Sequence, residues 1–243
     1  MKTIIIAAGY ATRLYPLTEN FPKPLLEIGN NTILGRLVEE IDKLPIITEH
    51  IIVTNHKFVN FFTQWAANAK TTSPIRIVDD GTTSNDKRLG AVKDMMLAID
   101  SVQGDDDFLV AAADNVLDFP IKGFVDFFQK KGASVIMCHR EPSLEKLRRT
   151  GVIEVDSDMR VLQMQEKPNK PISTWAVPPF YIYKKEDIGL LRKCIEQGCN
   201  TDAPGNLLQT VCRQTKIYAW EMTGKRYDIG NIQSYNETKQ IFG

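Results

Sequence analysis

The sequence predicts a three-layer α/β/α domain built on a mostly parallel mixed sheet. Over about the first 140 residues, short apolar segments alternate with segments of helical periodicity, which is typical of helices packed on both faces of a parallel sheet. After Arg148 this alternation gives way to a hairpin-like pattern. A hydrophobic content of 43% over 243 residues is enough to form one large core.

The front half of the chain, about residues 1–140, is predicted from its apolar periodicity. Lys2–Ala8 is short, apolar and rich in isoleucine, which indicates a buried strand. In Ile33–Leu44 the apolar residues recur at helical spacing. By the same criteria, strands are predicted at His50–Thr54, Ile75–Val78, Phe108–Ala113 and Ala133–His139, and helices at Val59–Asn68, Leu89–Ile99 and Ile121–Lys131.

The back half, about residues 141–243, has a different pattern. Gly151–Val155 and Val161–Gln165 flank the turn residues Asp156-Ser157-Asp158, which predicts a β-hairpin. No repeat or linker separates the two halves, so we expect a single domain over residues 1–243. Further strands are predicted at Val177–Tyr183 and Ile217–Trp220, and helices at Ile188–Gln197, Gly205–Gln214 and Ile232–Phe242.

Charge and cysteine content restrict the classes of function. Thirty basic residues balance thirty acidic ones, so the overall charge favours neither nucleic acid nor an anionic membrane. The apolar run Ile4–Ala8 is too short for a signal peptide core or a membrane span. The four cysteines show no C-x-x-C spacing, which favours reduced thiols over a disulfide or zinc site. We therefore expect a cytoplasmic protein without nucleic-acid or membrane partners.

The most specific local pattern follows the first predicted strand. A loop of small residues runs through Ala7-Ala8-Gly9 to Thr12-Arg13-Leu14, and Pro22-Lys23-Pro24 comes shortly after. Ligands bind at the carboxyl ends of strands in open α/β sheets, and small residues let backbone N–H groups approach phosphate oxygens. The loop has neither the Walker A nor the Rossmann glycine pattern. Gly9 considered alone is equally consistent with a structural turn.

The combined pattern resembles the signature of the sugar-1-phosphate nucleotidyltransferases, roughly G-G-x-G-T-R-L-x-P-x-T followed by P-K-P-L. Ala8 and Ala11 replace the first and third glycines of that signature. The resemblance extends from Met1 to Ile241 and implies the predicted fold and transfer of a nucleoside monophosphate from an NTP to a phosphorylated small-molecule acceptor. It implies catalytic roles for Arg13, Lys23 and Lys167, and nucleotide contacts from Ala8, Gly9, Tyr10, Ala11 and Thr12.

The resemblance also implies a magnesium cofactor, Mg²⁺, held by Asp114 and Asp228. Asp114 ends a predicted strand, and Asp228 lies just before the last predicted helix. Magnesium prefers one or two carboxylates together with water and phosphate oxygens. Each aspartate alone would favour a turn or helix-cap residue, and the two together with the N-terminal loop favour the metal site. The acidic run Asp105–Asp107 precedes a strand, and we expect it to be a solvated loop.

Other segments resemble the substrate pockets of this family. Arg88-Leu89-Gly90-Ala91 resembles a G-L-A segment that lies against base and ribose, and Asp80 falls where the family often has a base-reading polar residue. Gln165-Glu166-Lys167-Pro168 resembles E-E-K-P, which binds the sugar hydroxyls and phosphate. The alternatives are a simple turn at Asp79-Asp80-Gly81 and an exposed ion pair at Glu166-Lys167. The implied nucleotide contacts are Asp80, Leu89 and Gly90, and the implied acceptor contacts are Asn115, Gly151, Glu166, Lys167 and Pro179.

Two segments bear on the identity of the substrates. Asn200–Asn206 resembles a segment of a subgroup assigned to thymidylyl or uridylyl transfer, which favours dTTP or UTP; the alternative is a loop with a helix N-cap. Pro178-Pro179 replaces a T-G-x-Y-like strand that contacts the sugar, and prolines lack the N–H donor. We expect a sugar 1-phosphate as the acceptor, with a phosphorylated alcohol such as phosphocholine as an alternative. The resemblance also allows a homo-oligomer.

Two further alternatives differ in chemistry. A non-catalytic nucleotide-sugar sensor on the same fold would be favoured by loss of Lys23 or the two aspartates, yet all three are present. A glycosyltransferase would use a D-x-D metal motif, which Asp105–Asp107 formally contains. That alternative leaves Arg13 and Lys23 without a role.

Overall fold

The computed structural model describes residues 1–243 and has helices on both faces of a central mixed sheet. The predicted helices Val59–Asn68 and Ile232–Phe242 are found with the predicted bounds, and the others differ mainly at their ends. The helices are α1 (Ile33–Asp42), α2 (Val59–Asn68), α3 (Ala91–Asp100), α4 (Lys122–Lys131), α5 (Leu144–Leu147), α6 (Lys185–Glu196), α7 (Pro204–Val211) and α8 (Ile232–Phe242).

The strands include several that are only two or three residues long. They are β1 (Lys2–Ile6), β2 (Glu27–Ile28), β3 (Asn31–Thr32), β4 (Glu49–Thr54), β5 (Ile75–Asp79), β6 (Phe108–Ala112), β7 (Asn115–Leu117), β8 (Ser134–Arg140), β9 (Gly151–Val155), β10 (Val161–Glu166), β11 (Trp175–Val177), β12 (Phe180–Tyr183), β13 (Ile217–Glu221) and β14 (Arg226–Asp228). The large sheet has the order β10-β9-β11-β8-β12-β6-β1-β4-β5, with β13 paired to β8.

The front part of this sheet is parallel. Strand β1 lies between β4 and β6, and β4 also pairs with β5, all in parallel register. Antiparallel β12 then joins β6 to β8, so strands from both halves of the chain share one sheet. The predicted hairpin is confirmed, because β9 and β10 pair antiparallel. The three-layer α/β/α fold with a mixed sheet is therefore confirmed, and the carboxyl ends of β1, β4, β5 and β6 lie along one edge.

The predicted strand Val177–Tyr183 is wrong as a single element. It is divided into β11, which pairs with β8 and β9, and β12, which pairs with β6 and β8. The break falls at Pro178-Pro179, because neither proline can donate a ladder hydrogen bond. Pro179 still accepts a hydrogen bond from the Ala112 backbone N–H at 3.2 Å. The proline pair therefore lies beside the carboxyl end of β6.

Two apolar layers cover the faces of the sheet. Alternate residues of β1 point to opposite faces, with Ile4 in one layer and Ile5 in the other, as the two-residue period of a strand requires. Helices α3, α6 and α7 contribute to the layer that contains Ile4, and α1, α2 and α4 contribute to the layer that contains Ile5. No helix of the protein combines the length and the apolar character needed to cross a membrane.

Candidate active site

The glycine loop connects β1 to a short 3-10 turn, Thr12–Leu14. Ala11 adopts a left-handed conformation with φ of 47°, a backbone region that favours glycine. Thr18 holds this conformation by donating its hydroxyl hydrogen bond to the Ala11 carbonyl at 2.8 Å. No atom lies within 4 Å of the position that a Cβ on Gly9 would occupy. The loop therefore leaves open space beside the Gly9 backbone, as an anion-binding loop requires.

Lys23 and Asp114 are brought together at the carboxyl end of β6. The Lys23 ammonium donates hydrogen bonds to Asp114 Oδ2 at 2.6 Å and to the Ile229 carbonyl at 2.9 Å. Burial alone would raise the pKa of Asp114, but the charges of Lys23 and Arg226 lower it below its ordinary value. An ammonium has three N–H donors, so one donor of Lys23 stays available for a phosphate oxygen.

Asp228 lies close to Lys23 and Asp114, although it comes from near the C-terminal end of the chain. It ends β14, which pairs antiparallel with β7 so that Asp228 lies opposite Asn115. Burial and the negative charge of Asp114 raise the pKa of Asp228. The alternative role of Asp228 as a helix cap is wrong, because Asn231 caps α8 by accepting from the Ser234 backbone N–H. Asp114 and Asp228 therefore form a pair of repelling carboxylates.

Arg226 is a site residue that the sequence analysis did not identify. It lies two positions before Asp228 on β14, which places both side chains on the same face of the strand. Its Nη1 donates to Asn115 Oδ1 at 2.5 Å, and Asn115 Nδ2 donates in turn to Asp114 Oδ1 at 2.7 Å. No other hydrogen bond from its guanidinium is present, so most of its five N–H donors are available. Its position before the Asp228 turn was the only signal in the sequence.

A cavity of about 760 Å³ opens beside these groups. Arg13, Asp114, Arg226 and Asp228 line one part of it, and Pro179 lines another. Most of the remaining wall is polar and comes from β8, the segment around α5, and α8, including His139, Glu141, Lys146, Arg149 and Glu237. The cavity therefore joins Arg13 of the glycine loop, the aspartate pair and a polar wall that carries charges of both signs.

The Glu166 side chain is largely buried, whereas the neighbouring Lys167 side chain is exposed. Glu166 Oε2 lies 2.0 Å from the position of a Cβ on Gly205, so this glycine makes room for the carboxylate. A Cβ on Gly151 would instead lie 2.4 Å from Met164 Cε. Burial raises the pKa of Glu166. The Lys167 side chain is 55% exposed, and its Nζ lies 4.0 Å from Glu166 Oε1. Neither Glu166 nor Lys167 lines the cavity.

Tyr10 of the glycine loop takes part in a hydrogen-bonded chain of polar groups with the segment after β5. Tyr10 donates its hydroxyl to Thr82 Oγ1 at 3.2 Å, because the Thr82 proton is donated to Asp80 Oδ2 at 3.0 Å. Asp80 Oδ1 also accepts from the Thr82 backbone N–H at 2.7 Å. These residues follow β1 and β5, whose carboxyl ends lie on the same edge of the sheet.

The segment Asn200–Asn206 bridges the two sides of the site. Gly90 has φ of 92°, and a Cβ there would lie 2.6 Å from the Thr201 carbonyl oxygen. The Ala91 and Val92 backbone N–H groups donate to the carbonyls of Asp202 and Thr201, respectively. Carbonyl groups of this segment therefore accept hydrogen bonds from the first two N–H groups of α3. Because Gly205 in the same segment packs against Glu166, the segment connects the Gly90 turn to the acidic residue of β10.

The acidic run Asp105–Asp107 lies outside this site. It precedes β6, at the opposite end from Asp114, and its members pair with local cations. Lys185 Nζ lies 2.9 Å from Asp105, and Lys2 Nζ lies 3.7 Å from Asp106. The run is therefore separated from the cavity by the length of β6, which removes the support for a D-x-D metal site.

Comparisons with known proteins agree with this architecture. The chain is 27% identical over 232 residues to the bifunctional protein GlmU of Methanococcus aeolicus, covering 95% of this chain and 51% of that protein. It is 27% identical over 241 residues to the catalytic subunit beta of mannose-1-phosphate guanylyltransferase of Danio rerio, covering 97% and 62%. The chain thus spans about half to three fifths of the length of these relatives.

A solved structure of UDP-glucose pyrophosphorylase complexed with UDP-glucose shares the fold, with a TM-score of 0.83 and 22% identity over 99% of this chain and 97% of that one. A family model described as nucleotidyl transferase matches residues 2–242. That match includes the glycine loop, Lys23, the aspartate pair and the segment around Glu166. The protein is therefore a member of the nucleotidyl transferase family.

Proposed function

We propose that the protein transfers a nucleoside monophosphate from an NTP to a sugar 1-phosphate and releases pyrophosphate. The observation that carries this proposal is the hydrogen-bonded network of Lys23, Asp114, Asn115 and Arg226. Two of its members, Asp114 and Arg226, line the 760 Å³ cavity together with Arg13. Such an arrangement suits phosphoryl transfer, which depends on positioning and on neutralising charge. The resemblance of Asn200–Asn206 favours dTTP or UTP as the nucleotide.

The chemistry of the aspartate pair fits a magnesium ion. The structure has no group of three or more acidic, histidine or cysteine side chains that would enclose a metal, and magnesium typically needs only one or two carboxylates because water and phosphate oxygens complete its shell. The raised pKa of Asp228 beside Asp114 indicates two carboxylates that a cation would stabilise. Asp114 and Asp228 would hold the ion, and the bound ion would supply positive charge that neutralises the triphosphate.

The side chains of the protein then have separate roles. The loop around Gly9 binds the triphosphate, with Arg13 stabilising the pyrophosphate that leaves. Lys23 uses its free N–H donor to stabilise the α-phosphate. Arg226 binds the acceptor phosphate, and one oxygen of that phosphate attacks the α-phosphorus in line. The new P–O bond forms as the bond to the pyrophosphate oxygen breaks, so no strong general base is needed.

Pro179 lines the cavity at the end that we assign to the acceptor, and we also assign Glu166, which does not line the cavity, to the acceptor. The Glu166 carboxylate can accept hydrogen bonds from sugar hydroxyls. Pro179 adds an apolar ring at the wall and donates no hydrogen bond. Lys167 is the second cation available to the acceptor phosphate, and it would have to turn inward from its exposed position to reach it.

Pyrophosphate release measures this reaction directly. The full chain would be incubated with Mg²⁺, each of ATP, GTP, CTP, UTP and dTTP, and a panel of sugar 1-phosphates and alcohol phosphates that includes phosphocholine. We expect release that requires both one nucleotide and one sugar 1-phosphate. Release that occurs with an alcohol phosphate but with none of the sugar 1-phosphates would change the proposed acceptor class. Nucleotide binding without pyrophosphate release for any pair of substrates would favour the sensor alternative.

A further inference from the structure

The Asn115 side chain lies between two charged groups of the candidate active site and is completely buried. Its exposed fraction is 0%, and it does not line the 760 Å³ cavity that is bordered by Asp114 and Arg226. A side chain without accessible surface offers no atom to an acceptor in that cavity. This burial points to a different role from the acceptor contact that the resemblance implies for Asn115.

Every polar atom of the Asn115 amide is paired inside the protein. Its Nδ2 donates one hydrogen bond to Asp114 Oδ1 at 2.7 Å and another to the Ala112 carbonyl at 3.2 Å. Its Oδ1 accepts from Arg226 Nη1 at 2.5 Å. An amide nitrogen has two N–H donors, so both are used. The orientation of the amide is therefore fixed, with the nitrogen facing the carboxylate and the oxygen facing the guanidinium.

The backbone holds these side chains on two short paired strands. Asn115 begins β7 and lies opposite Asp228 of β14, in an antiparallel ladder that also pairs Arg226 with Leu117. Residues directly opposite each other in such a ladder point to the same face. Because Arg226 and Asp228 are two positions apart on β14, all three side chains project from one face of this two-stranded sheet.

The Asn115 amide keeps opposite charges apart. A guanidinium that touched a carboxylate directly would form a strong, often bidentate ion pair. Arg226 forms no direct ion pair with Asp114, and its Nη1 lies 3.9 Å from Asp228 Oδ2, which is beyond hydrogen-bond distance. A neutral amide can donate to the carboxylate and accept from the guanidinium at once. Asp114 therefore keeps its negative charge available for a cation, and Arg226 keeps its positive charge available for an anion.

We propose that Asn115 is a positioning residue that holds the Arg226 guanidinium away from the aspartate pair and toward the acceptor phosphate. The proposal rests on the role of Arg226 in the proposed function. The Asn115 oxygen is the one hydrogen-bond acceptor that the guanidinium has within the protein. Without it, the two carboxylates are the nearest groups that can accept from Arg226. The guanidinium then pairs with them, and the acceptor phosphate loses its cation.

A double-mutant cycle of Asn115→Ser and Arg226→Gln tests this role through the KM values for pyrophosphate release by the full chain with Mg²⁺. We expect Asn115→Ser to raise the acceptor KM about tenfold and the NTP KM less than about twofold, since the charge-assisted contact of Arg226 with the acceptor is lost. In the Arg226→Gln background, the same change should raise the acceptor KM by less than about twofold, because the group that Asn115 positions is already absent.

Two outcomes of this cycle would overturn the proposal. An unchanged acceptor KM in folded Asn115→Ser would show that Arg226 does not depend on the amide. Effects of the two substitutions that multiply in the double variant would show that Asn115 acts on the acceptor independently of Arg226.

A loss of stability alone is separated by a matched control. Ser134 is also buried, and its hydroxyl donates to Asp187 and accepts from the Lys184 backbone N–H. It lies at the other end of β8 from His139, which lines the cavity. Ser134→Ala should lower the melting temperature and leave the acceptor KM unchanged. An acceptor KM that rises as much in Ser134→Ala as in Asn115→Ser would reduce the role of Asn115 to general stability.

Asn115→Asp provides the answer if Asn115→Ser does not fold, because it keeps the volume of the side chain. Its second oxygen cannot donate to Asp114, and its charge pairs with the guanidinium of Arg226. We expect the acceptor KM to rise about tenfold, as in Asn115→Ser. A folded Asn115→Asp variant with an unchanged acceptor KM would contradict the proposal.

Binding of inorganic phosphate tests the positioning without turnover. In isothermal titrations of the full chain, the affinity that Arg226→Gln removes reports the anion site at this residue. We expect Asn115→Ser to remove the same affinity and the double variant to lose no more. This pattern without pyrophosphate release for any substrate pair would contradict the proposed reaction and support the positioning. Pyrophosphate release with phosphate affinity unchanged in Asn115→Ser or in Arg226→Gln would support the reaction and contradict the positioning.

Discussion

Lys23 and Asp114 are separated by 91 residues in the sequence, yet the Lys23 ammonium lies 2.6 Å from Asp114 Oδ2. The same ammonium also donates to the Ile229 carbonyl, next to Asp228. One lysine thus connects the segment after the glycine loop, the end of β6 and the segment after β14. The candidate active site is assembled by these contacts before any substrate binds, which is the preorganisation that electrostatic catalysis requires.

Replacing the aspartate pair should abolish most of the activity. We expect Asp114→Asn and Asp228→Asn each to lower kcat for pyrophosphate release by about 100-fold or more, because the charge that holds the cation and positions the triphosphate is lost. Removing the cation with EDTA should have the same effect on the unaltered protein, and added Mg²⁺ should restore the rate. Near-normal turnover in both variants would contradict the metal assignment.

Replacing Arg226 should weaken binding of the acceptor and leave binding of the nucleotide almost unchanged. We expect Arg226→Gln to raise KM for the acceptor about 10- to 100-fold with little change in KM for the NTP, since a charge-assisted contact contributes about 1.5–3 kcal/mol. Arg226→Lys should recover part of the loss. Arg213→Gln, beyond the end of α7, is the control. An unchanged acceptor KM in Arg226→Gln would remove this residue from the acceptor site.

Gly205 should be needed for the position of Glu166. A Cβ at Gly205 would lie 2.0 Å from Glu166 Oε2, so Gly205→Ala must displace the carboxylate. We expect a rise of about tenfold in KM for a sugar acceptor, comparable to the loss of one hydrogen bond. Gly189→Ala is the matched control, because no atom lies within 4 Å of a Cβ at that position on α6. Equal acceptor KM values in the two variants would show that Glu166 does not contact the acceptor.

Asp94 should make the stability of the protein depend on pH. The pKa of Asp94 is raised from 3.8 to about 7 in the folded protein. Between these values the folded state binds more protons than the unfolded chain, so this group lowers the free energy of unfolding as pH rises. The full effect is up to about 4 kcal/mol above pH 7.

Asp94→Asn removes this titration. Urea unfolding at pH 4.5 and pH 8 should therefore show that the variant gains stability relative to the unaltered protein as pH rises. Asp126→Asn, whose carboxyl is exposed, is the control. The same stability difference between Asp94→Asn and the unaltered protein at both pH values would contradict a raised pKa for Asp94.

Elements with a long and regular apolar pattern were predicted well from the sequence. Helix α2 and helix α8 have the predicted bounds, and the parallel strands β1, β4 and β6 lie where the apolar segments are. Strands β7 and β14 were not predicted, because each has only three residues and their pairing joins Asn115 to Asp228, which are separated by nearly half of the chain. The division at Pro178-Pro179 was missed because the sequence carries apolar residues on both sides of the proline pair.

The sequence by itself determined the α/β architecture and the glycine loop, since periodicity and local spacing are properties of a single segment. The resemblance of its motifs to a known family supplied the candidate residues Arg13, Lys23, Asp114 and Asp228. Only the tertiary structure decided that Arg226 donates to Asn115 at the cavity wall, that Lys167 lies outside the cavity, and that Asp94 is buried with an unpaired Oδ1. These relationships depend on which segments pack together in space. Packing is set by the whole core and not by the residues of any one segment.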